Sequence, residues 1–342
     1  MTHLAGHRPP DVPAGPPGAP VVEIQDLVRH FTSRRLTGRG IEKSVVRAVD
    51  GVSLSVGKGE TFGIVGESGC GKTTLARIVL GLLSPSAGRV LVDGVDLAAV
   101  RGASLRSLRP RVQAVFQDPY SSLDPRMRVG RAIGEVVAYH HRAWDRARIR
   151  ARTTELIEMV GLDSSKADAY PGQLSGGQRQ RIGIAKAFAT DPELVVADEP
   201  VSALDVSVQA QVINLLMDLQ AENGVSYLVI GHGLAAMEHI CDRIGVLYLG
   251  KLVEVGPASV VLSAPRHHYT AALVESAPGD GRRELSVLTG EPASARAVPS
   301  GCRFRTRCAA AQARCADDEP SLAELGPGHS AACFYPRLAP NG

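Results

Sequence analysis

Between Val21 and about Val255, short runs of β-branched and aliphatic residues alternate with longer stretches whose apolar positions recur at helical spacing. That alternation is the mark of an α/β fold, a sheet flanked by helices. The runs Thr61 to Val65, Val112 to Phe116, Leu194 to Ala197 and Ser226 to Ile230 predict strands. Val208, Val212, Leu215, Leu216 and Leu219 form the apolar stripe of a helix for which Asp205 is a suitable N-cap, and Thr74 to Leu83 and Arg146 to Val160 also read as helix. From Gln117 to Ser175 the strand signal fades, which predicts a helical subdomain inserted at roughly 121 to 190. After about Ser263 the pattern gives way to Ala-, Pro- and Arg-rich sequence, a second module spanning about 264 to 342. No internal repeat is visible, so one cassette, not a tandem pair, is expected.

Composition changes this picture little. The chain has 342 residues, 44% hydrophobic and 21% charged, and a formal charge of +3, which calls for no nucleic-acid partner. No stretch approaches the roughly 18 uncharged apolar residues of a membrane-spanning helix. Residues 1–20 hold Pro9, Pro10, Pro13, Pro16, Pro17 and Pro20 without a basic or an apolar leader region, and are expected to be a disordered tail. Six cysteines are present, and four of them, Cys302, Cys308, Cys315 and Cys333, crowd the C-terminus. With no export signal, such a cluster suggests metal before disulfide.

The chemistry concentrates in three places. Gly66-Glu67-Ser68-Gly69-Cys70-Gly71-Lys72-Thr73 fits the phosphate-loop pattern G-x-x-x-x-G-K-[ST], after a predicted strand and before a predicted helix that opens near Thr74. Its glycines let backbone N–H groups turn onto phosphates, Lys72 reaches the β/γ-phosphates of ATP, and Thr73 offers a hydroxyl to Mg²⁺. Cys70, inside the loop, is either an alkylation target with a lowered pKa or an inert position. Leu194 to Glu199 is an apolar strand ending in two carboxylates that period two sends to opposite sides. Beside a phosphate loop, Asp198 can hold the Mg²⁺ shell while Glu199 deprotonates the attacking water; alone, the pair would be a solvated strand end. Leu174-Ser175-Gly176-Gly177-Gln178 joins an N-cap serine to two glycines and a helix start, a second anion site or an ordinary cap.

With these three together the sequence resembles the ABC-transporter ATPases, whose LSGGQ motif closes over the γ-phosphate from the opposing subunit of a head-to-tail dimer. The resemblance implies a P-loop NTPase core sheet with an antiparallel β subdomain, the inserted helical subdomain and a small Cys-containing C-terminal module. It implies a Q-loop role for Gln117, contacting Mg²⁺ and coupling to the membrane partner, and a D-loop role for Asp205 near the dimer interface. His232 matches the switch histidine, although Gly231 and Gly233 flank it where the family has Ser and Asp. Phe31 lies where an aromatic residue of the family stacks on adenine; a core phenylalanine is the other reading.

The segments V-G-E-S-G-C-G-K, F-Q-D-P-Y-S-S-L-D-P and D-E-P-V-S-A-L-D-V-S-V-Q-A-Q-V look like the dipeptide, oligopeptide and nickel importer subfamily. Pro265 to Ala272 resembles its C-terminal extension. The likeness implies an ATPase at the cytoplasmic face of the membrane, with transmembrane permease subunits, a second, paralogous ATPase subunit, and an extracytoplasmic solute-binding protein. The cysteine spacing C-x5-C-x6-C-x17-C suits four thiolates on a [4Fe–4S] cluster or on Zn²⁺, and its long gaps, with the likeness to cluster-carrying importer subunits, favour the cluster. Two other readings stay open: a soluble ABC ATPase acting on nucleic acid, and a hydrolysis-impaired regulatory subunit.

Overall fold

A computed structural model describes residues 19–37, 40–118, 123–276 and 294–338. Most of the expected N-terminal tail, and residues 119–122 of the segment after Gln117, lie outside the described residues. Two compact units interleave along the chain. Of the described residues, one gathers those up to Val22 with those in Val56–Glu60 and Leu91–Leu228; the other gathers those in Glu23–Ser55 and Thr61–Val90 and those from Val229 onward.

In the first unit, strand Val112–Val115 runs parallel to Leu194–Asp198, with Val112 opposite Leu194 and Val115 opposite Ala197. Leu194 to Ala197 are all buried. The continuous apolar run therefore marks a strand covered on both faces. Arg111 ties the unit across 82 residues of sequence: its guanidinium forks onto Glu193 at 2.8 and 2.7 Å and reaches Asp93 at 2.6 Å. Helices Val129–His140 and Arg146–Met159 pack through Ile133, Val137, Leu156 and Ile157, all fully buried. They form the helical region the pattern predicted after Gln117. Asp145 caps the second of them by accepting the Arg148 N–H at 2.8 Å.

In the second unit, the fully buried strand Thr61–Val65 lies parallel to Arg243–Tyr248, register Phe62 to Arg243 and Val65 to Val246. Antiparallel strands continue the sheet outward through Lys251–Pro257, His329–Ala331 and Ala323–Gly326. Two strands of the C-terminal region thus lengthen the same sheet that carries the phosphate loop. A second sheet orders Gly40–Val56, Val22–Thr37 and Ala87–Val92 side by side.

Glu254 explains why the C-terminal region docks so firmly. Its side chain, fully buried, accepts the backbone N–H groups of Arg266 at 2.7 Å and His267 at 2.9 Å and pairs with His329 Nε2 at 2.7 Å. A buried carboxylate is tolerated only when its lone pairs are used in this way. Among the described residues no helix is long and apolar enough to cross a membrane.

Candidate phosphate-loop site

The loop from Gly66 to Thr73 leaves the end of strand Thr61–Val65 and enters helix Lys72–Val79, which starts two residues before the expected Thr74 because Gly71 in the left-handed region acts as its N-cap. Gly66 and Gly71 have φ of +151° and +116°. A Cβ on Gly66 would collide with the Leu247 carbonyl oxygen, and one on Gly71 with that of Ala48. The loop backbone is therefore pressed against its neighbours at two points only glycine permits. Gly69, at φ +79°, faces open space.

Lys72 is 6% exposed, and its ammonium donates to the Gly66 carbonyl at 2.7 Å and the Glu67 carbonyl at 3.0 Å. It spans the loop that it must serve. Cys70, 3% exposed, has its thiol pushed up by burial, against a smaller opposing pull from Lys72. Of the two readings of Cys70 the inert one fits: burial disfavours the thiolate, and the sulfur lies 3.9 Å from the Lys72 ammonium inside the loop.

Two ties on this loop have no sign in the sequence. The Glu67 N–H donates to the Tyr269 hydroxyl at 2.8 Å across 202 residues, and Arg307 forks onto the Glu67 carboxylate, both arms 2.9 Å, across 240 residues. The Cys70 carbonyl accepts the Gly250 N–H at 2.8 Å.

In the same unit, Phe31 is 38% exposed, with the Arg29 guanidinium 4.7 Å from its ring centroid. That exposure argues against the core reading. His232 is exposed beyond strand Ser226–Ile230. At Gly231 a Cβ would lie 2.8 Å from the Met237 sulfur, in a flexible side chain that could move aside. Gly233 begins helix Leu234–Ile240.

The other unit holds the remaining candidates. Strand Leu194–Asp198 ends one residue earlier than strict alternation needs, because Glu199 takes φ +49°; the two carboxylates are separated by a left-handed turn, not by strand period. The Glu199 carbonyl accepts both the N–H and the hydroxyl of Ser202, at 3.3 and 3.1 Å. Ser175 caps helix Gly176–Ala187 through a capping box with Gln178, the two bonds 3.2 and 3.1 Å. A Cβ on Gly177 would strike Val208 of helix Val206–Asn223, and one on Gly176 would touch Leu204 at 3.4 Å. The glycine pair thus seats the motif helix against the turn carrying Asp205, whose carboxylate accepts the Val208 N–H at 2.9 Å and the Ser207 hydroxyl at 2.7 Å. Asp205 is an N-cap, as one of its readings held. Gln117 is exposed at the end of strand Val112–Val115, and the carbonyl just before it, on Phe116, accepts from Gln180 at 3.4 Å.

Cys302, Cys308, Cys315 and Cys333 line one pocket with His267, His268 and Phe304. All four are free thiols, and the Cys302 N–H donates to the Cys315 carbonyl at 2.8 Å. Burial raises Cys302, Cys308 and, to about 11, Cys333, and the neighbouring thiols push each of them further the same way. The raised values favour the neutral thiol, and a cation among them would be what favours the thiolate. Among the described residues no three His, Cys, Asp or Glu side chains stand at the spacing one metal ion requires.

His267 shows what burial does at the edge of that pocket. Desolvation lowers it from 6.5 to about 3, and its neutral Nδ1 accepts the Tyr269 N–H at 3.0 Å, capping helix His268–Glu275. A folded pKa below the unfolded one means its contribution is complete above pH 6.5 and is lost as pH falls toward 3. Between pH 7 and 5 the loss should be about 2 kcal/mol. Urea denaturation at the two pH values measures it, and His267→Asn, which keeps a cap but cannot titrate, should remove that part of the slope.

Known proteins resemble this chain in sequence and in fold. A family model described as ABC transporter matches residues 49–202, and one described as oligopeptide/dipeptide transporter, C-terminal region, matches residues 253–315. The chain is 49% identical over 319 residues to a probable peptide ABC transporter ATP-binding protein of Sinorhizobium fredii, covering 92% of this chain and 89% of that protein. It is 45% identical over 326 residues to the putative oligopeptide transport ATP-binding protein YkfD of Bacillus subtilis, covering 94% and 97%. A solved dimeric ATP-binding cassette, MJ0796, in a post-hydrolysis state with ADP and Pi aligns with a TM-score of 0.61 at 27% identity, over 69% of this chain and 98% of that one.

Proposed function

Since the chain belongs to the ABC transporter ATPases of the peptide-import type, we propose that it hydrolyses ATP to energise uptake of di- or oligopeptides, or of a related solute, through a separate permease. The observation that carries this is the phosphate loop, pinned at Gly66 and Gly71 with Lys72 buried across it. Within the proposal, residues 21–263 are the nucleotide-binding domain and 264–342 its C-terminal extension.

Lys72 exchanges the Gly66 and Glu67 carbonyls for phosphate oxygens, and the loop N–H groups with the helix N-terminus stabilise the charge on the phosphates. Thr73, Asp198 and Gln117 would hold Mg²⁺ through their side-chain oxygens, and the ion would supply charge neutralisation of the phosphates. Glu199 takes the proton of the attacking water, and His232 steadies the γ-phosphate. Phe31 stacks on adenine. Ser175 and Gly177 of a partner subunit, a paralogous ATPase or a second copy, complete the site, with Asp205 close to that interface. The cassette works at the cytoplasmic face of the membrane, on permease subunits served by an extracytoplasmic binding protein.

The presence of both Glu199 and His232 favours a hydrolysing subunit over the hydrolysis-impaired reading. For the C-terminal pocket we keep the [4Fe–4S] cluster, with Zn²⁺ as the alternative, on the cysteine spacing: Cys302, Cys308, Cys315 and Cys333 line one pocket and would be its thiolate ligands, although among the described residues they do not stand at single-ion spacing. It would staple the fold; no step of hydrolysis passes through it.

Anaerobic co-purification with the permease tests the whole. The expected result is ATPase activity stimulated by binding protein and peptide, in a preparation containing iron and sulfide. Peptide-independent turnover that responds to nucleic acid would refute the transport reading, and colourless protein with stoichiometric zinc the cluster.

A further inference from the structure

The segment between Cys302 and Cys308 carries two arginines that reach back to the nucleotide-side loops. Arg303 donates to the Leu249 carbonyl and pairs with Asp50, and its Nε reaches Glu319 at 3.0 Å. Arg307, its side chain 4% exposed, forks onto Glu67, itself only 20% exposed. Between them Phe304 packs against Tyr248 and Tyr269, ring centroids 5.5 and 5.4 Å away, and Tyr269 accepts the Glu67 N–H.

Glu67 is thus held at every polar group. Its N–H goes to Tyr269, its carboxylate to Arg307, and its carbonyl to Lys72. We propose that Arg307 is a positioning residue for the phosphate loop, acting through Glu67, so that the Cys-flanked segment sets the affinity for ATP. The assignment rests on the reading of Gly66 to Thr73 as the ATP site.

Two physical effects underlie it. A bidentate Arg–carboxylate fork fixes the plane of the Glu67 carboxylate and so the course of the loop backbone that must cradle the phosphates. The guanidinium also neutralises a carboxylate lying in the loop that must receive a polyanion; unpaired, that charge repels phosphate and pulls Lys72 toward itself. Arg307 touches no nucleotide in this scheme.

The experiment is equilibrium ATP binding by the purified full chain, with steady-state KM and kcat. Arg307→Ala is expected to weaken ATP by about tenfold, a magnitude ordinary for coupling between sites, and to raise KM far more than it changes kcat. Arg307→Lys, which keeps the charge and loses the fork, should weaken it by about threefold. The double variant with Glu67→Gln should bind no more weakly than Arg307→Ala alone, since the fork is already gone. Wild-type affinity in Arg307→Ala, or additive losses in the double variant, would overturn the inference. Should Arg307→Ala fail to fold, wild-type affinity in Arg307→Lys overturns it equally. Lys72→Ala separates the two levels. If it binds ATP as well as the wild type, the ATP-site reading fails; if it loses ATP while Arg307→Ala keeps it, only the role of Arg307 fails.

Discussion

Glu199→Gln is expected to keep ATP bound while lowering turnover by about 100-fold or more, the usual contribution of a positioned general base. The choice of glutamine follows from the backbone. Glu199 sits at φ +49°, a conformation that costs a non-glycine residue of order 1–3 kcal/mol and that the Ser202 contacts to its carbonyl hold in place. Glycine or alanine would change the turn as well as the chemistry. Glutamine has the shape of glutamate and loses only the proton acceptor. With hydrolysis blocked, ATP should hold two subunits together at the LSGGQ interface. Size-exclusion chromatography with ATP is expected to show a dimer that the wild type forms only transiently. Unchanged steady-state hydrolysis in Glu199→Gln would sink the assignment of the base.

Gly71→Ala is the second large effect, and it separates backbone conformation from space. At φ +116° an L-residue is strained, and the added methyl would also strike the Ala48 carbonyl. At Gly69, φ is +79° with nothing within reach of a Cβ, so alanine there meets the conformational cost alone, about 1–2 kcal/mol. Gly71→Ala should therefore destabilise nucleotide-free protein by about 3 kcal/mol or more, against about 1–2 for Gly69→Ala, with ATP binding lost at position 71. Urea denaturation without nucleotide measures the difference. Equal losses would show that contact with Ala48 does not constrain the loop.

Much of this site was legible before any coordinates. The phosphate loop, the strand ending at Asp198, the capping serine of Leu174-Ser175-Gly176-Gly177-Gln178 and the cap at Asp205 are local arrangements, each written within about ten residues. Local hydrogen bonds and propensities act over that range, so the pattern carries them. Strict period two failed at Glu199, because the tight turn after the strand overrides alternation there. At Cys70 the motif left two readings open, since motif position says nothing about depth, and burial selects the inert one.

The sequence by itself determined the α/β pattern, the helices that follow Gln117, the strand, glycine-rich loop and helix around Gly66 to Thr73, and the crowding of four cysteines near the C-terminus. Only the tertiary structure decided that two C-terminal strands extend the loop's own sheet, that Glu254 anchors them, and that Arg307 and Tyr269 hold Glu67. The reason is range. Contacts across 202 and 240 residues leave no periodicity or spacing to read, because they arise only when burial brings distant polar groups together and obliges them to pair.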